Sequence, residues 1–341
     1  WKHEETPMTF RTLLIPPLFV LSTPLAGADE ADPNLELARE HVQNFYAGEL
    51  DGLWDAFTDE MKKALGSKAG FAMFQAQTGA QLGEESEVLN ESLVNVGAFR
   101  DYLRTVSFEQ FEGPLHVRLV LREDDRIAGF SISPQQEPAP SEYAGYDTRT
   151  ALRLPFDGEW LVFWGGRGVE QNYHAAAPDQ RFAYDFVVVR DGRSHEGTGE
   201  RNEDYHCFGL PIQAPGDGVV ALAVDGEPDQ PPGHMDPGAG AGNHVIIDHG
   251  NDEFSFLAHL KQGSITVEAG QTVEAGDVIG ACGNSGHTSE PHLHYHLQRD
   301  AVFHAGAGGE GLPAQFLNYL ADGERVERGE PVRGQVIQAV E

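Results

Sequence analysis

The sequence predicts a multidomain fold in which a small α+β domain precedes a larger domain of mostly antiparallel β-sheet. Apolar residues recur at spacings of four over residues 34–65, which is typical of amphipathic helices. The spacing changes to alternation over residues 115–121, which is typical of a half-buried strand. Beyond a proline-containing linker at 134–141, nearly all of the chain has the pattern of strands and turns.

Residues 1–28 combine a short upstream stretch with the features of a secretory signal. Arg11 supplies a positive charge ahead of a short apolar run at 13–21, and the small residues at 26–28 form a cleavage site. The run is far below the roughly 20 residues of a membrane span, so no transmembrane segment is expected. We therefore expect export to the periplasm or the cell surface.

The charge composition argues against two classes of partner. The chain has 23 Lys and Arg against 54 Asp and Glu, a formal charge of −31. Nucleic acids and anionic membrane surfaces are bound through basic patches, so neither is expected as a partner. The acidic residues are spread along the chain, which indicates a solvated, mutually repelling surface.

The first domain is expected over residues 29–140. Two helices are predicted within 34–65, separated at 48–52 by glycines and an aspartate, and a third helix is predicted over 67–80. Helices followed by an antiparallel sheet are typical of an α+β domain. An acidic turn joins the last two strands as a hairpin. The predicted strands are 88–96, 103–111, 115–121 and 126–133.

This segment resembles the NTF2-like and cystatin-like α+β domains. The resemblance rests mainly on hydrophobic positions: Ala38, Phe45, Leu53, Phe57, Met61 and Gly97-Ala98-Phe99. The segment has no cluster of catalytic residues, because His41 and His116 are isolated and are interpreted as surface or core residues. We therefore expect the chemistry to reside in the second domain.

The second domain is expected over residues 141–341, with its core at 150–300. A Pro- and Gly-rich stretch at 225–242 predicts a long loop, and one helix is predicted, over 313–320. The remainder indicates strands. They are predicted at 151–155, 160–164, 181–189, 218–224, 244–249, 254–260, 267–270 and 273–283.

The stretch with the most chemical information is the alternating run at 292–297. Period-two alternation places His292, His294 and His296 on one face of a strand and apolar residues on the other. Neighbouring imidazoles on that face lie roughly 7 Å apart. Imidazole is the commonest transition-metal ligand among side chains, so this face is a candidate metal site; a merely polar strand face is the alternative.

A straight strand cannot supply three ligands to one ion, so others must come from elsewhere. His174 and Asp185 are the best candidates, since Asp185 opens an apolar run where an unpaired carboxylate would be costly. A salt bridge from Asp185 to Arg181 or Arg190 is the alternative. His259 is likewise polar within an apolar strand, and a hydrogen-bonded core histidine is the alternative for it.

The order of these motifs resembles that of the M23 zinc metallopeptidases, the lysostaphin-like and LytM-type peptidoglycan endopeptidases. The motifs are His174 with Asp185, Ala258-His259-Leu260, Gly283-Asn284-Ser285-Gly286 and Pro291-His292-Leu293-His294. The resemblance covers residues 150–300. It implies one zinc ion per chain, bound by His174, Asp185 and His294. It also implies two catalytic histidines that do not bind the metal, His259 and His292.

The sequence departs from the family in the position of its aspartate. The family places this residue four positions after the first histidine, whereas Asp185 follows His174 by eleven. Asp179, five positions after His174, is the rival; Asp185 is preferred because it opens a strand. His296 stands where many members carry an acidic residue, and it is interpreted as a residue behind the ligands or in the groove.

The expected function is zinc-dependent hydrolysis of peptide bonds in peptidoglycan. An inactive relative that binds the cell wall or activates another hydrolase is the alternative, although such relatives have typically lost ligands. A lipoyl-like carrier module is weaker, because Lys261 lies outside the repeated Val-Glu-Ala-Gly motif. Cys207 and Cys282 could form a disulfide or remain two buried thiols, and the oligomeric state is left open.

Overall fold

A computed structural model describes residues 32–236, 238–303 and 308–340 of the chain. The predicted export signal therefore lies outside the described residues. No helix in the described part is long and apolar enough to cross a membrane. The helices are α1 (Pro33–Ala47), α2 (Leu50–Ala56), α3 (Asp59–Leu65) and α4 (Lys68–Leu82), with short 3-10 helices at Tyr173–Ala176 and Asn202–Asp204.

The helix boundaries follow from their capping residues. Asp32 caps α1 by accepting from the backbone N–H of Asn34, and Gly48 ends it with a left-handed φ of 74°. The prediction of two helices over 34–65 is wrong, because Thr58 begins a new helix by accepting from Met61 N–H. Phe57, assigned to the apolar helical stripe, is extended between α2 and α3. The third predicted helix is confirmed as α4.

Four strands follow as an antiparallel sheet in the order β1-β2-β3-β4, and all four were predicted. Residues 115–121 of β3 alternate between buried and half-buried, as the sequence pattern predicts. The turn between β3 and β4 is the expected acidic hairpin. The bounds are β1 (Glu85–Val96), β2 (Phe99–Phe108), β3 (Phe111–Arg122) and β4 (Ile127–Pro134).

The rest of the chain forms a large antiparallel sheet and a two-stranded sheet of β7 and β12. The order in the large sheet is β11-β8-β9-β10-β13-β6-β5-β17-β15-β16, with β14 beside β13. The strands are β5 (Glu159–Trp164), β6 (Tyr184–Val187), β7 (Pro211–Gln213), β8 (Gly218–Val224), β9 (Asn243–Asp248), β10 (Phe254–Leu260), β11 (Thr272–Val273), β12 (Val278–Ala281), β13 (Leu293–Gln298), β14 (Gly311–Leu312), β15 (Phe316–Ala321), β16 (Glu324–Gly329) and β17 (Val336–Ala339).

The predicted helix at 313–320 is wrong, since this segment contains β15. The strand is paired on both sides, by β16 and β17, and the pairing overrides the helix-like spacing of its apolar residues. Asp322 and Gly323 both have positive φ, at 52° and 81°, and join β15 to β16. An Asp-Gly pair is a recognised hairpin signal, so the sequence contained the correct indication. The sheet consequently extends beyond the expected core at 150–300.

Two shorter strand predictions also fail. Residues 151–155 contribute only an isolated bridge from Leu152 to Phe316, and residues 267–270 form a turn rather than a strand. The predicted strand at 273–283 is divided between β11 and β12, which join different sheets. The long loop at 225–242 is confirmed, because the described residues between β8 and β9, 225–236 and 238–242, contain no helix or strand.

Each of the two main parts of the chain has its own hydrophobic core. One core packs α1, α2 and α4 against the four-stranded sheet, around Phe45, Phe57 and Phe71. The other lies under the large sheet and includes Tyr184, Phe186 and Tyr295. Cys207 and Cys282 belong to the second core as buried free thiols. The antiparallel β architecture with a small helical region at its amino-terminal side confirms the predicted fold class.

Candidate metal centre

His174, Asp185 and His294 come together from three separate elements of the second part of the chain. Asp185 in β6 lies directly opposite His294 in β13, so their side chains share one face of the sheet. His174 reaches them from the 3-10 helix that precedes β6. One ligand atom from each lies within 4.8 Å of the others, and all three residues are buried. Within residues 32–236, 238–303 and 308–340, this is the one such group of three or more possible ligands.

The Asp185 carboxylate is surrounded by imidazoles. Its oxygens lie 2.9 Å from His294 Nδ1, 3.5 Å from His292 Nε2 and 3.7 Å from His174 Nε2. The alternative partner Arg181 donates instead to the backbone carbonyls of Ala139 and Arg167. Asp179 is buried but does not belong to the ligand group. The structure therefore places Asp185 among the histidines.

The orientation of His174 is set by Asn172. The side-chain amide of Asn172 donates to the carbonyls of Gly166 and Ala183, which identifies its Oδ1 as the acceptor. His174 Nδ1 lies 2.9 Å from this oxygen and therefore carries the hydrogen. The neutral ring then has an unprotonated Nε2 that points towards Asp185. A hydrogen bond on the far nitrogen is the usual way to fix a ligand histidine.

A similar chain of hydrogen bonds runs along β13 behind His294. Gln298 Nε2 donates to the carbonyls of Asp300 and Val302, at 2.7 and 2.9 Å, so its Oε1 accepts from His296 Nε2 at 2.9 Å. Neutral His296 then accepts at Nδ1 from His294 Nε2, 3.0 Å away. We call His294, His296 and Gln298 the β13 relay.

When the His294 ring is neutral, the β13 relay leaves its Nδ1 unprotonated where it faces Asp185. Two acceptor atoms, this nitrogen and Asp185 Oδ1, are then 2.9 Å apart with no hydrogen between them. Such a pair is stable only if a positive charge lies on the ring or between the two atoms. This donor set of two imidazoles and a carboxylate is one that zinc takes at catalytic sites. The residues present therefore fit a zinc ion.

His292 and His259 lie beside this group. His292 Nδ1 donates to the Glu290 carbonyl at 2.9 Å, and its Nε2 faces Asp185. His259 Nδ1 donates to the Ser285 carbonyl at 2.8 Å. The His259 ring centre lies 4.9 Å from that of His292 and 5.8 Å from that of His294. The four histidines and the aspartate that the resemblance assigns to the site thus occupy one region.

His259 reaches this region through an unusual backbone conformation. Ala258 is paired with His294, so in a regular strand the next residue would point to the opposite face. His259 has a φ of 59°, and the pairing of β10 with β9 shifts between Leu257 and Leu260. This irregularity turns the ring towards His292. A non-glycine residue with positive φ inside a strand costs free energy and is often found at functional sites.

The pKa shifts at the site keep His174 neutral and Asp185 ionised, which are the protonation states that metal ligands require. Burial lowers the pKa of His174 to about 3, which keeps it neutral. Burial also lowers the pKa of His259 well below its usual value. Burial alone would raise the pKa of Asp185, but the surrounding imidazoles hold it well below its usual range. For His292, the Asp185 carboxylate outweighs the effect of burial and raises the pKa to about 9.

Sequence reasoning missed two residues whose hydrogen bonds orient the candidate ligands, Asn172 and Gln298. Gln298 had a detectable signal, because it continues the period-two series of 292, 294 and 296 by one further step. Asn172 had none, since its contact with His174 depends on a 3-10 turn that the composition does not reveal. His294 and His296 share a face of β13, as the alternation predicts, and His292, which directly precedes the strand, also faces Asp185.

Residues 198–304 match the family described as Peptidase family M23. The chain contains an M23 peptidase domain. The matched segment of this M23 domain includes His259, His292 and His294, whereas His174 and Asp185 precede it.

Relatives of the M23 domain include two curated proteins. The chain is 28% identical over 236 residues to an uncharacterized metalloprotease of Haemophilus influenzae, and 39% identical over 150 residues to the peptidoglycan DD-endopeptidase ShyA of Vibrio cholerae. These alignments cover 64% and 44% of this chain but 46% and 27% of the relatives, so the chain spans less than half of their length. Among solved structures, the catalytic domain of the M23 protein EnpA from Enterococcus faecalis matches with 19% identity and a TM-score of 0.30, over 48% of this chain and 95% of that one.

The β13 relay of the M23 domain leads to a first prediction. Replacing Gln298 with leucine removes the acceptor that fixes the His296 tautomer, and so releases the His294 ring. We expect zinc affinity to fall by roughly 10- to 100-fold, the usual effect of losing a group that orients a ligand. Competition with a fluorescent zinc chelator measures this change without an activity assay. Gln298→Glu, which keeps an acceptor, should lose less affinity; equal losses in both variants would contradict the relay.

Proposed function

We propose that the protein is an exported zinc endopeptidase that hydrolyses peptide bonds in the stem or cross-bridge peptides of peptidoglycan. The observation that carries this proposal is the pair of facing acceptor atoms, His294 Nδ1 and Asp185 Oδ1; His294 lies in the segment that matches the M23 family, and Asp185 precedes that segment. The substrate class is supported by ShyA, a relative named as a peptidoglycan DD-endopeptidase. We also propose the division into a first domain at 29–140 and a second domain at 141–341.

Three residues would hold the zinc ion: His174 through Nε2, Asp185 through a carboxylate oxygen and His294 through Nδ1. Three protein ligands leave one coordination position for water or substrate, as is usual at catalytic zinc sites. A bound zinc ion supplies Lewis-acid activation of the water and of the scissile carbonyl. The role of the chain is to fix the ligand tautomers and to provide proton acceptors next to the ion.

His292 is proposed as the residue that accepts the proton of the attacking water. Its Nδ1 is committed to the Glu290 carbonyl, so the neutral ring offers Nε2 as the acceptor. The carboxylate of Asp185 alone would keep His292 protonated, with its pKa at about 9. A divalent cation on Asp185 opposes that attraction and favours the neutral, proton-accepting ring. The proposed role of His292 therefore depends on the ion.

His259 is proposed to stabilise the oxyanion of the tetrahedral intermediate, a role that requires a protonated ring. Its Nδ1–H is committed to the Ser285 carbonyl, so the neutral ring offers a lone pair rather than a donor at Nε2. Donation to an oxyanion therefore requires that His259 first take up a proton. An oxyanion donor is worth about 3 kcal/mol in other hydrolases.

Metal removal tests the proposed function directly. We expect the full chain to bind one zinc ion and to release peptides from purified peptidoglycan. Treatment with 1,10-phenanthroline should abolish release, and Zn²⁺ but not Mg²⁺ should restore it, because Mg²⁺ prefers oxygen ligands. New amino termini measured by mass spectrometry report the cleavage. Active protein without zinc would contradict the proposal, and zinc-loaded protein that binds but does not cleave peptidoglycan would indicate the inactive relative instead.

A further inference from the structure

The first domain reaches the candidate metal centre through the turn between β1 and β2. A cavity of about 460 Å³ is lined on one side by Asp185, His259 and His292. The same cavity is lined on another side by Val96, Gly97 and Phe99 of the first domain. Its volume lies in the range typical of ligand pockets. Residues 32–140 of the first domain contain no group of possible metal ligands, but the domain borders the space in front of the proposed ligands.

This turn packs closely on the second domain. Gly97 has a φ of 58°, and a Cβ atom added there would lie 2.9 Å from the carbonyl oxygen of Gly192. Val96 forms a small buried cluster with Leu161 of β5 and Val187 of β6. Since β6 also carries Asp185, the turn rests on a strand that supplies the metal centre.

Charged and aromatic contacts extend this interface to a metal ligand. Asp101 of β2 is 3% exposed and accepts from Arg118 of its own domain and from Arg333 of the second domain. The Arg333 guanidinium lies 4.3 Å from the ring centre of Trp164. Trp164 packs edge-on against Tyr173, whose ring centre is 4.0 Å from that of His174. The first domain is thus held in a defined position relative to the centre.

The cavity wall on this side is apolar. Phe99 contributes from the first domain, and Leu161, Phe163 and Val189 contribute from the second. Phe99 is 38% exposed, so its ring is available to a ligand. An apolar surface next to a buried polar centre favours a ligand that has an apolar group close to its reacting bond. The wall is continuous with the centre, which identifies the substrate peptide as its occupant.

We propose that the first domain forms one wall of the substrate cleft, and that this wall binds an apolar side chain of the peptide close to the scissile bond. This inference rests on the proposed function, because it assigns the cavity to the same peptide substrate. Phe99 is the residue that determines the preference for an apolar side chain at this position of the peptide. Phe99 affects substrate binding and not zinc binding, because all three proposed metal ligands belong to the second domain.

The test compares two synthetic peptides, acetyl-Gly-Leu-Gly and acetyl-Gly-Gly-Gly, as ligands of the zinc-loaded full chain. Calorimetry should show that the wild type binds the leucine peptide roughly tenfold more tightly, since burial of part of a leucine side chain accounts for such a ratio. Phe99→Ala should reduce the ratio to about one, with unchanged zinc content. Phe99→Leu, which keeps an apolar wall, should retain most of the preference.

Phe111→Ala is the matched control. Phe111 has almost the same exposure as Phe99, 37% against 38%, and it lies at the opposite end of the same sheet. Phe111→Ala should keep the wild-type ratio of affinities for the two peptides. Equal ratios for wild type and Phe99→Ala, or equal losses in the two alanine variants, would overturn the proposal. Peptide release from peptidoglycan by the wild type is measured separately, so failure of the proposed function is distinguishable from failure of the wall.

Discussion

Replacing Asp185 with alanine is expected to remove zinc from the protein and abolish hydrolysis. Its carboxylate is the group on which His174, His292 and His294 converge, at 2.9 to 3.7 Å. Loss of a group that merely orients a ligand costs 10- to 100-fold in metal affinity, so loss of the anionic ligand itself should cost more than 100-fold. Zinc retained after dialysis, measured by atomic emission together with peptide release, reports both effects.

The controls for this prediction are Asp179→Ala and Asp185→Asn. Asp179 is buried and close in sequence to His174 but lies outside the ligand group, so its replacement should leave zinc in place. Asp185→Asn keeps the shape of the side chain and removes its charge, which separates loss of the ligand from loss of packing. If Asp179→Ala lost zinc while Asp185→Ala kept it, Asp179 would be the carboxylate ligand.

Two neighbouring histidines, His292 just before β13 and His294 within it, are expected to respond differently to the same substitution. His294→Ala removes a proposed ligand, so zinc affinity should fall steeply. His292→Ala removes the proposed proton acceptor while leaving all three proposed ligands, so zinc should stay bound and kcat should fall by roughly 10²–10⁴. His259→Ala is expected to resemble His292→Ala, because neither substitution removes one of the three proposed ligands.

Metal content and turnover must be measured together on these three variants. A His292→Ala protein that loses zinc, beside a His294→Ala protein that keeps it, would show that the two roles are reversed. Activity retained in both would mean that this face of β13 is only a polar surface. Circular dichroism of each variant distinguishes these outcomes from unfolding, since all three side chains are largely buried.

The antiparallel fold could be predicted because strand alternation is local. The residues of β3 and β13 show their inward and outward faces in the sequence itself. Local spacing was misleading where long-range pairing decided the outcome, as in β15, whose helix-like spacing is overridden by β16 and β17. The start of α3 depended on a single capping residue, Thr58, within an apparently continuous apolar stripe.

The candidate metal centre, like the fold, could be predicted only where it depends on a local sequence pattern. The alternation predicted that His292, His294 and His296 share a face, because that is a property of one strand. The choice between Asp179 and Asp185 was open to sequence reasoning only through strand position, since the register that sets Asp185 opposite His294 is a long-range property. The direction of the His259 side chain could not be predicted, because it depends on a φ of 59° in the middle of an apolar strand.

The position of the β13 relay makes strand register a condition of metal binding. β13 is paired on one side with β10 and on the other with β6, and it contributes His294 to the centre through this pairing. A slip of one residue would turn Leu293 and Tyr295 towards Asp185 and would bury the histidines in the apolar core. A misregistered chain would therefore be both unstable and metal-free. In a refolding experiment, the amount of zinc bound per chain should therefore measure the fraction of molecules in which β13 has paired with β10 and β6 in the correct register.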